Sequence, residues 1–165
     1  MIDGFSGEYN FLSNFYPVTI FWKGNKFPTV EHAYVASKSL DPNFWHRIAM
    51  LGPGHVGKAK KLGKTIKLRQ DWNQVKLQLM EEFLRQKFSG NNLRMKLLST
   101  LPHQLVEGNY WHDNYWGDCA CNRCIDILGK NMLGELLMKI RGEIDEDSRN
   151  GGPTQRFQIS KQNNQ

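Results

Sequence analysis

The sequence is poor in cysteine and has no long apolar segment. Its 165 residues include three cysteines, Cys119, Cys121 and Cys124. An odd number in so short an interval excludes a disulfide framework and favours a reducing compartment. No apolar run approaches the roughly 20 residues that cross a bilayer, and residues 1–10 lack the basic and apolar regions of a signal peptide. We therefore expect a soluble, cytoplasmic protein that makes no membrane contact.

Acidic residues are in the minority. The sequence has 16 aspartates and glutamates against 22 lysines and arginines, which gives a formal net charge of +6. Such an excess favours anionic partners, for example phosphates or nucleic acid. Much of it lies in one basic run, formed by Lys58, Lys60, Lys61, Lys64, Lys67 and Arg69. The run predicts either a phosphate-binding surface or a solvated helix face, and the sequence leaves both open.

The spacing of apolar and turn residues predicts several helices and a few short strands. β-Branched and aromatic residues around Gly24-Asn25 indicate a hairpin over 18–27. Asp71 and Gln74 have the spacing of a capping box before a helix that reaches Phe88. Further helices are predicted over 30–40, 42–51, 93–100 and 131–144, and a strand-like step over 104–107.

These elements predict one helix-dominated α+β domain over residues 1–147, with a small β-hairpin or sheet. Apolar side chains make up 39% of the sequence, which suffices for a core without disulfides or metals. Residues 148–165 are rich in polar residues and glycine, so we expect a disordered C-terminal tail.

A glycine-rich segment, Gly52–Ala59, nearly matches the phosphate loop of nucleotide triphosphatases. It is not expected to be one, because Ala59 replaces the magnesium-binding hydroxyl and a helix precedes the segment where a strand is required. The free amides that begin a following basic helix can still bind a diphosphate. Lys58 and Lys61 are therefore candidate phosphate-binding residues.

The cysteine cluster has more than one interpretation. Together with His112 or His103, the three thiols can supply the ligands of a tetrahedral zinc site. No second Cys-x-x-Cys pair exists, so free or buried thiols remain an alternative, and a catalytic Cys/His pair is a third. We assign no metal from the sequence.

Glu31, Tyr34 or Val35, and Lys38 recur at steps of three and four, so they share one face of the first predicted helix. A carboxylate, a phenol and an amine then form one stripe. The first-turn position of Glu31 favours its ionised form through the helix dipole. The alternative is an exposed, salt-bridged face.

Four large aromatic residues and three acids lie in the segment Glu107–Asp118. Flat aromatic faces can stack on a base, and carboxylates can hold ribose hydroxyls. The alternative is a packing loop whose acids cap nearby turns.

Seven blocks, in order, resemble the NADAR family, also called YbiA-like, over about residues 4–145. The blocks are Leu12–Phe15, Thr29–Lys38, Ala59–Lys64, Asp71-Trp72, Leu105–Glu107, Asp113–Gly117 and Gly129–Arg141. The resemblance implies a YbiA-like fold and hydrolysis of an N-glycosidic bond, without a cofactor. The substrate implied is ADP-ribose on guanine in modified DNA or RNA, or a phosphoribosylamino-pyrimidine of riboflavin synthesis.

The resemblance implies functional positions at Glu31, Trp72, Asp113 and Trp116, with Lys38 and Asn14 in matching blocks, and the residues around them complete the set of candidates. Catalytic candidates are Glu31, Lys38 and Asp113, and substrate-binding candidates are Asn14, Phe15, His32, Tyr34, Trp72, Glu107, Trp116, Gly117 and Asn131, beside Lys58 and Lys61 of the basic run. We predict that Glu31 moves the proton that opens the sugar and that Lys38 captures ribose C1 as a Schiff base. Two alternatives stay open: a non-catalytic ADP-ribose-binding module, and a zinc-stabilised module that binds nucleic acid.

Overall fold

The computed structural model of the protein describes residues 1–151, and helices dominate that range. The α-helices are α1 (Val30–Ser37), α2 (Pro42–Ala49), α3 (Val56–Gly63), α4 (Trp72–Lys87), α5 (Asn91–Leu98) and α6 (Met132–Arg149). The strands are β1 (Ile2–Asp3), β2 (Ile20–Trp22), β3 (Asn25–Phe27), β4 (Leu105–Val106), β5 (Gly108–Asn109) and β6 (Asp118–Cys119). Short 3-10 helices cover Gly7–Leu12 and Pro53–His55. The predicted helix-dominated α+β fold is confirmed.

Helix starts follow the predicted signals at two places and depart from them at a third. The hydroxyl of Thr29 accepts a hydrogen bond from the backbone N–H of His32 and starts α1, and Asp41 starts α2 in the same way. The capping box at Asp71 is wrong. Arg69 occupies both oxygens of that carboxylate, at 2.6 and 2.9 Å, so no side-chain cap forms.

Within residues 1–151 the strands form three separate two-stranded pairs. The predicted hairpin is present as β2 and β3, antiparallel, with Ile20 opposite Phe27. β1 pairs with β4, and β5 with β6, both parallel. The strands β1, β5 and β6 and the 3-10 helix over residues 7–12 were not predicted, since elements this short carry no periodicity.

The last helix is longer than expected. α6 ends at Arg149 rather than near Ile144, and an ion pair of 2.6 Å between Arg149 and Asp145 supports its final turn. The domain boundary predicted after residue 147 stays a prediction, and residues 152–165 of the predicted tail lie outside the described residues.

Helix α1 lies at the centre of the molecule. All eight of its residues are buried, and it packs against α2, α3, α4 and the hairpin. Such complete burial restricts the motion of the α1 backbone and side chains. The side chains that α1 carries are therefore held in fixed positions. Among residues 1–151, no helix has the length and apolar character to cross a membrane.

Candidate active site

A cavity of about 400 Å³ opens beside α1. Its walls come from residues 4–15, helices α1, α3, α4 and α6, and the segment from Glu107 to Trp116. Five carboxyl and amine side chains line it together: Glu31, Lys38, Lys60, Glu107 and Asp113. The other lining residues include Asn14, Phe15, Tyr34, Met80, Trp111 and Trp116.

Three residues of the predicted helical stripe, Glu31, Tyr34 and Lys38, line this cavity. Val35 does not, because it packs beneath Gly63 of α3. Glu31 is 8% exposed, so the alternative of an exposed, salt-bridged face does not hold. The steps of three and four residues therefore bring a carboxyl, a phenol and an amine into one enclosed space.

Burial governs the ionisation of the two central groups. It raises the pKa of Glu31, against the opposing effects of Lys60 and Lys38. Desolvation thus shifts the pKa of Glu31 in the direction opposite to that expected from the first-turn dipole. Burial also lowers the pKa of Lys38, against the attraction of Glu31. The carboxyl is held toward its protonated form and the amine toward its neutral form.

The loop after β5 places Asp113 by capping its own turn. The Asp113 Oδ1 accepts hydrogen bonds from the backbone N–H groups of Tyr115 and Trp116, at 3.0 and 2.9 Å. The side-chain amide of Asn109 donates to the Asp113 carbonyl oxygen at 2.8 Å. Capping and a place in the cavity were alternatives from the sequence, and Asp113 has both.

Two polar side chains in the cavity retain atoms without a protein partner. Among the described residues, Glu107 Oε2 and Asn14 Oδ1 are buried and accept no hydrogen bond. Burial, and then the charge of Asp113, raises the pKa of Glu107 to about 7. The Asn14 side-chain amide donates to the sulfur of Met80 at 3.5 Å, which orients the amide. Unpaired acceptors in a cavity are suited to binding hydroxyls of a ligand.

Two candidate binding residues lie behind the cavity wall. His32 is fully buried, and its Nδ1 lies 2.7 Å from the hydroxyl of Thr29, so it secures the start of α1. Trp72 packs against the Tyr34 ring with centroids 5.1 Å apart. Trp72 therefore supports a lining residue and His32 supports the start of the helix that carries Glu31 and Tyr34, and neither lines the cavity itself.

Asn131 and Gly117 hold the loop together. Asn131 accepts a hydrogen bond from the Glu107 N–H at 2.9 Å and donates one to the Leu105 carbonyl at 2.8 Å. A Cβ at Gly117 would collide with the carbonyl oxygen of Glu107. These two residues position Glu107 and are not lining residues.

The basic run contributes a residue other than those predicted. Lys58 and Lys61 are exposed and do not line the cavity, whereas Lys60 does and extends its ammonium to 5.6 Å from the ring centroid of Phe15. The sequence contained a signal for this, because Lys60 is next to the buried Ala59 and three residues before the buried Gly63, and so lies toward the buried side of α3. His112 and the three cysteines come together outside the cavity.

Comparisons with known proteins identify the family. The model of the NADAR domain matches residues 4–145. The chain is 37% identical over 140 residues to N-glycosidase YbiA of Shigella flexneri, covering 84% of each protein, and 36% identical to an N-glycosidase of Nostoc punctiforme, covering 82% of this chain and 86% of that one.

A riboflavin biosynthesis protein of Vibrio vulnificus is 33% identical over 142 residues, which cover 84% of this chain and 36% of that protein. The NMR structure of Escherichia coli YbiA superposes with a TM-score of 0.77 at 33% identity, covering 93% of this chain and 90% of the other. The chain therefore belongs to the NADAR family, and like its curated relatives it is an N-glycosidase.

Proposed function

We propose that this N-glycosidase hydrolyses the bond between an exocyclic amino nitrogen and ribose C1, and that its substrate is ADP-ribose attached to guanine in DNA or RNA. The observation that carries the proposal is a buried carboxyl, Glu31, and a half-buried amine, Lys38, in one cavity, with the pKa of the carboxyl raised and that of the amine lowered by burial. Such a pair supplies both a proton donor and a neutral nucleophile.

The first step opens the sugar ring. The protonated carboxyl of Glu31 gives its proton to the ring oxygen, and the bond from that oxygen to C1 breaks. The lone pair of the exocyclic nitrogen forms a double bond to C1, which leaves an open-chain iminium. Burial of Glu31 supports this role, since it raises the pKa of the carboxyl and so shifts it toward the protonated acid.

The second step transfers C1 to the enzyme. The neutral amine of Lys38 adds to C1, and the carboxylate of Glu31 carries a proton from the lysine nitrogen to the exocyclic nitrogen. The bond from C1 to that nitrogen breaks, the base leaves with its amino group, and a Schiff base remains. Water, oriented by Asp113, adds to the Schiff base and releases Lys38 and the free sugar.

The remaining cavity residues are suited to holding a ribose and its phosphates. Asn14 and Glu107 offer buried, unpaired oxygens to sugar hydroxyls. The ring of Phe15 and the indole of Trp116 provide flat apolar surface for a base. Lys60 supplies a positive charge for a phosphate group.

The charge and the rim favour a nucleic-acid substrate. The net charge of +6 attracts a polyanion, and the rim carries exposed aromatic side chains, Trp111 at 62% and Phe15 at 44% exposure. The second candidate is a phosphoribosylamino-pyrimidine, supported by the relative in Vibrio vulnificus that is named for riboflavin biosynthesis. We place the reaction in the cytoplasm, where three cysteines without disulfides persist.

The two candidates are separated by incubating the protein with a guanine-ADP-ribosylated oligonucleotide and, separately, with the phosphoribosylamino-pyrimidine. We expect faster release of ADP-ribose from the oligonucleotide. Cleavage of the small substrate alone would overturn the substrate assignment. If the protein cleaved neither substrate, the assignment of the cleaved bond would be overturned.

The catalytic roles are tested with two variants and a matched control. Glu31→Gln should lower kcat by about 10²-fold or more while ligand affinity changes little. Borohydride added during turnover should trap an adduct on Lys38, and Lys38→Ala should lose both the adduct and turnover. Lys61→Ala, which removes an exposed amine on α3, should keep both. An active Lys38→Ala without an adduct would remove the Schiff-base step.

The non-catalytic interpretation is disfavoured by the N-glycosidase relatives. It makes a distinct prediction, because a binding module has no turnover for Glu31→Gln to lose. Equal, negligible turnover of the wild type and Glu31→Gln on both substrates, with tight ADP-ribose binding, would restore it.

A further inference from the structure

We propose that His112, Cys119, Cys121 and Cys124 form a structural zinc site that holds the Asp113 loop. The four side chains come from one stretch of the chain, and their ligand atoms all lie within 4.8 Å of one another. The His112 Nδ1 is 2.9 Å from the Cys124 sulfur and 3.5 Å from the Cys121 sulfur. The proposal concerns residues outside the cavity and does not depend on the substrate.

The spacing fits a tetrahedral metal. Zinc binds thiolate sulfur at about 2.3 Å and imidazole nitrogen at about 2.0 Å, so neighbouring ligand atoms in a tetrahedron lie about 3.5–3.8 Å apart. The observed nitrogen-to-sulfur separations of 2.9 and 3.5 Å, and the 4.8 Å within which all four atoms lie, bracket that distance. Three soft sulfurs and one imidazole select zinc over calcium or magnesium, which bind oxygen.

The backbone around the cluster is arranged as for metal-bound thiolates. The N–H groups of His112 and Cys121 donate to the Cys119 sulfur at 3.3 and 3.5 Å. Cys121 and Cys124 bracket a turn closed by a hydrogen bond of 2.8 Å from the Cys124 N–H to the Cys121 carbonyl. Binding releases the thiol protons to solvent and leaves a neutral imidazole, so the site assembles without oxidation.

His112 has a left-handed backbone, with φ of 72°. A residue with a Cβ adopts this conformation at a cost, and such residues persist where surrounding contacts require them. The conformation turns the imidazole toward the cysteines, while the flanking Trp111 and Asp113 line the catalytic cavity. A metal at His112 therefore secures the segment from which Asp113 enters the active site.

The full-length protein, purified under reducing conditions without chelator, should contain one equivalent of zinc per chain by mass spectrometry of metals. Replacing zinc by cobalt should produce thiolate-to-cobalt charge transfer and the intense visible bands of tetrahedral coordination. Cys121→Ser should lose most of the bound zinc, whereas His46→Asn, an exposed histidine of α2, should retain it.

A second measurement needs no variant. A thiol reagent should modify the three cysteines of the native protein slowly, and addition of a strong zinc chelator should make them react rapidly. If the purified protein takes up no zinc or cobalt and its thiols react at the same rate with and without chelator, the cluster is a set of free thiols and the proposal fails. If Cys121→Ser retains full zinc content, the proposed ligand set fails.

Discussion

The indole N–H of Trp116 donates a hydrogen bond to the phenolic oxygen of Tyr34 at 2.9 Å, and the two rings meet edge to face at 89°. The bond joins residues 82 positions apart in the chain. It fastens the loop that carries Asp113 to the helix that carries Glu31 and Lys38. Burial raises the pKa of Tyr34, so its phenol stays neutral.

We expect the Tyr34–Trp116 pair to be energetically coupled. Tyr34→Phe leaves the indole N–H without its partner and should lower the free energy of unfolding by about 1–3 kcal/mol. A double-mutant cycle with Trp116→Phe should give a coupling of about 1 kcal/mol, measured by urea denaturation. Tyr110→Phe, at a tyrosine that is 76% exposed, is the control and should change stability little. Additive effects of the two substitutions would contradict the coupling.

Lys60 should set the pH range of activity. Its charge lowers the pKa of Glu31 and also that of Lys38, next to the larger effects of burial. Removing the charge in Lys60→Met therefore raises both pKa values. The profile of kcat/KM against pH should move to higher pH as a whole.

The matched control is Lys61→Met, because Lys61 neighbours Lys60 in sequence but is exposed and outside the cavity. Its profile should overlay that of the wild type. A displacement of the Lys60→Met profile to lower pH, or an equal displacement in both variants, would show that the effect is not local to the site.

Glu107 should make stability depend on pH. Its pKa is about 7 in the folded protein and 4.5 as an ordinary carboxyl. The folded state therefore holds the proton more tightly, so the stabilisation is complete below about pH 4.5 and is lost as the pH rises through about 7. After allowance for partial exposure, the loss is on the order of 2 kcal/mol.

Glu107→Gln should flatten this decline without abolishing it, because the raised pKa of Glu31 acts with the same sign. Denaturant unfolding at about pH 5 and about pH 8 measures the difference. Glu82→Gln, at an exposed carboxylate of α4, should keep the wild-type decline. If Glu107→Gln lost as much stability between the two pH values as the wild type, a group other than Glu107 would be responsible for the decline.

Close packing of α3 on α1 depends on Gly63. A Cβ at this position would lie 2.9 Å from the Val35 Cγ1, against a fully buried side chain. Gly63→Ala should destabilise the protein by about 1–3 kcal/mol. Gly57→Ala, in the same helix with nothing within 4 Å of the new Cβ, should stabilise it by up to about 1 kcal/mol. Thermal or denaturant unfolding of the pair tests the contact, and equal effects would argue against it.

Local signals in the sequence were sufficient for the larger elements. The hairpin turn, the Thr29 cap and the apolar spacing of α4 and α6 each act over a few neighbouring residues, so they can be recognised without the fold. The capping box at Asp71 failed because Arg69, two positions away, competes for the same carboxylate. The strands β5 and β6 have two residues each, and they pair only once the loop between them has closed. No local sequence pattern predicts that pairing.

By itself, the sequence determined the helical spacing that places Glu31, Tyr34 and Lys38 on one face, the positive charge, and the clustering of three cysteines near His112. Only the tertiary structure decided that this face is enclosed, that Lys60 rather than Lys58 or Lys61 turns inward, and that His32 and Trp72 support the wall from behind. The spacing of residues along a helix decides which face each side chain lies on. Desolvation of that face depends on what packs against it from distant parts of the chain. The same desolvation raises the pKa of Glu31, opposite to the effect expected from its first-turn position.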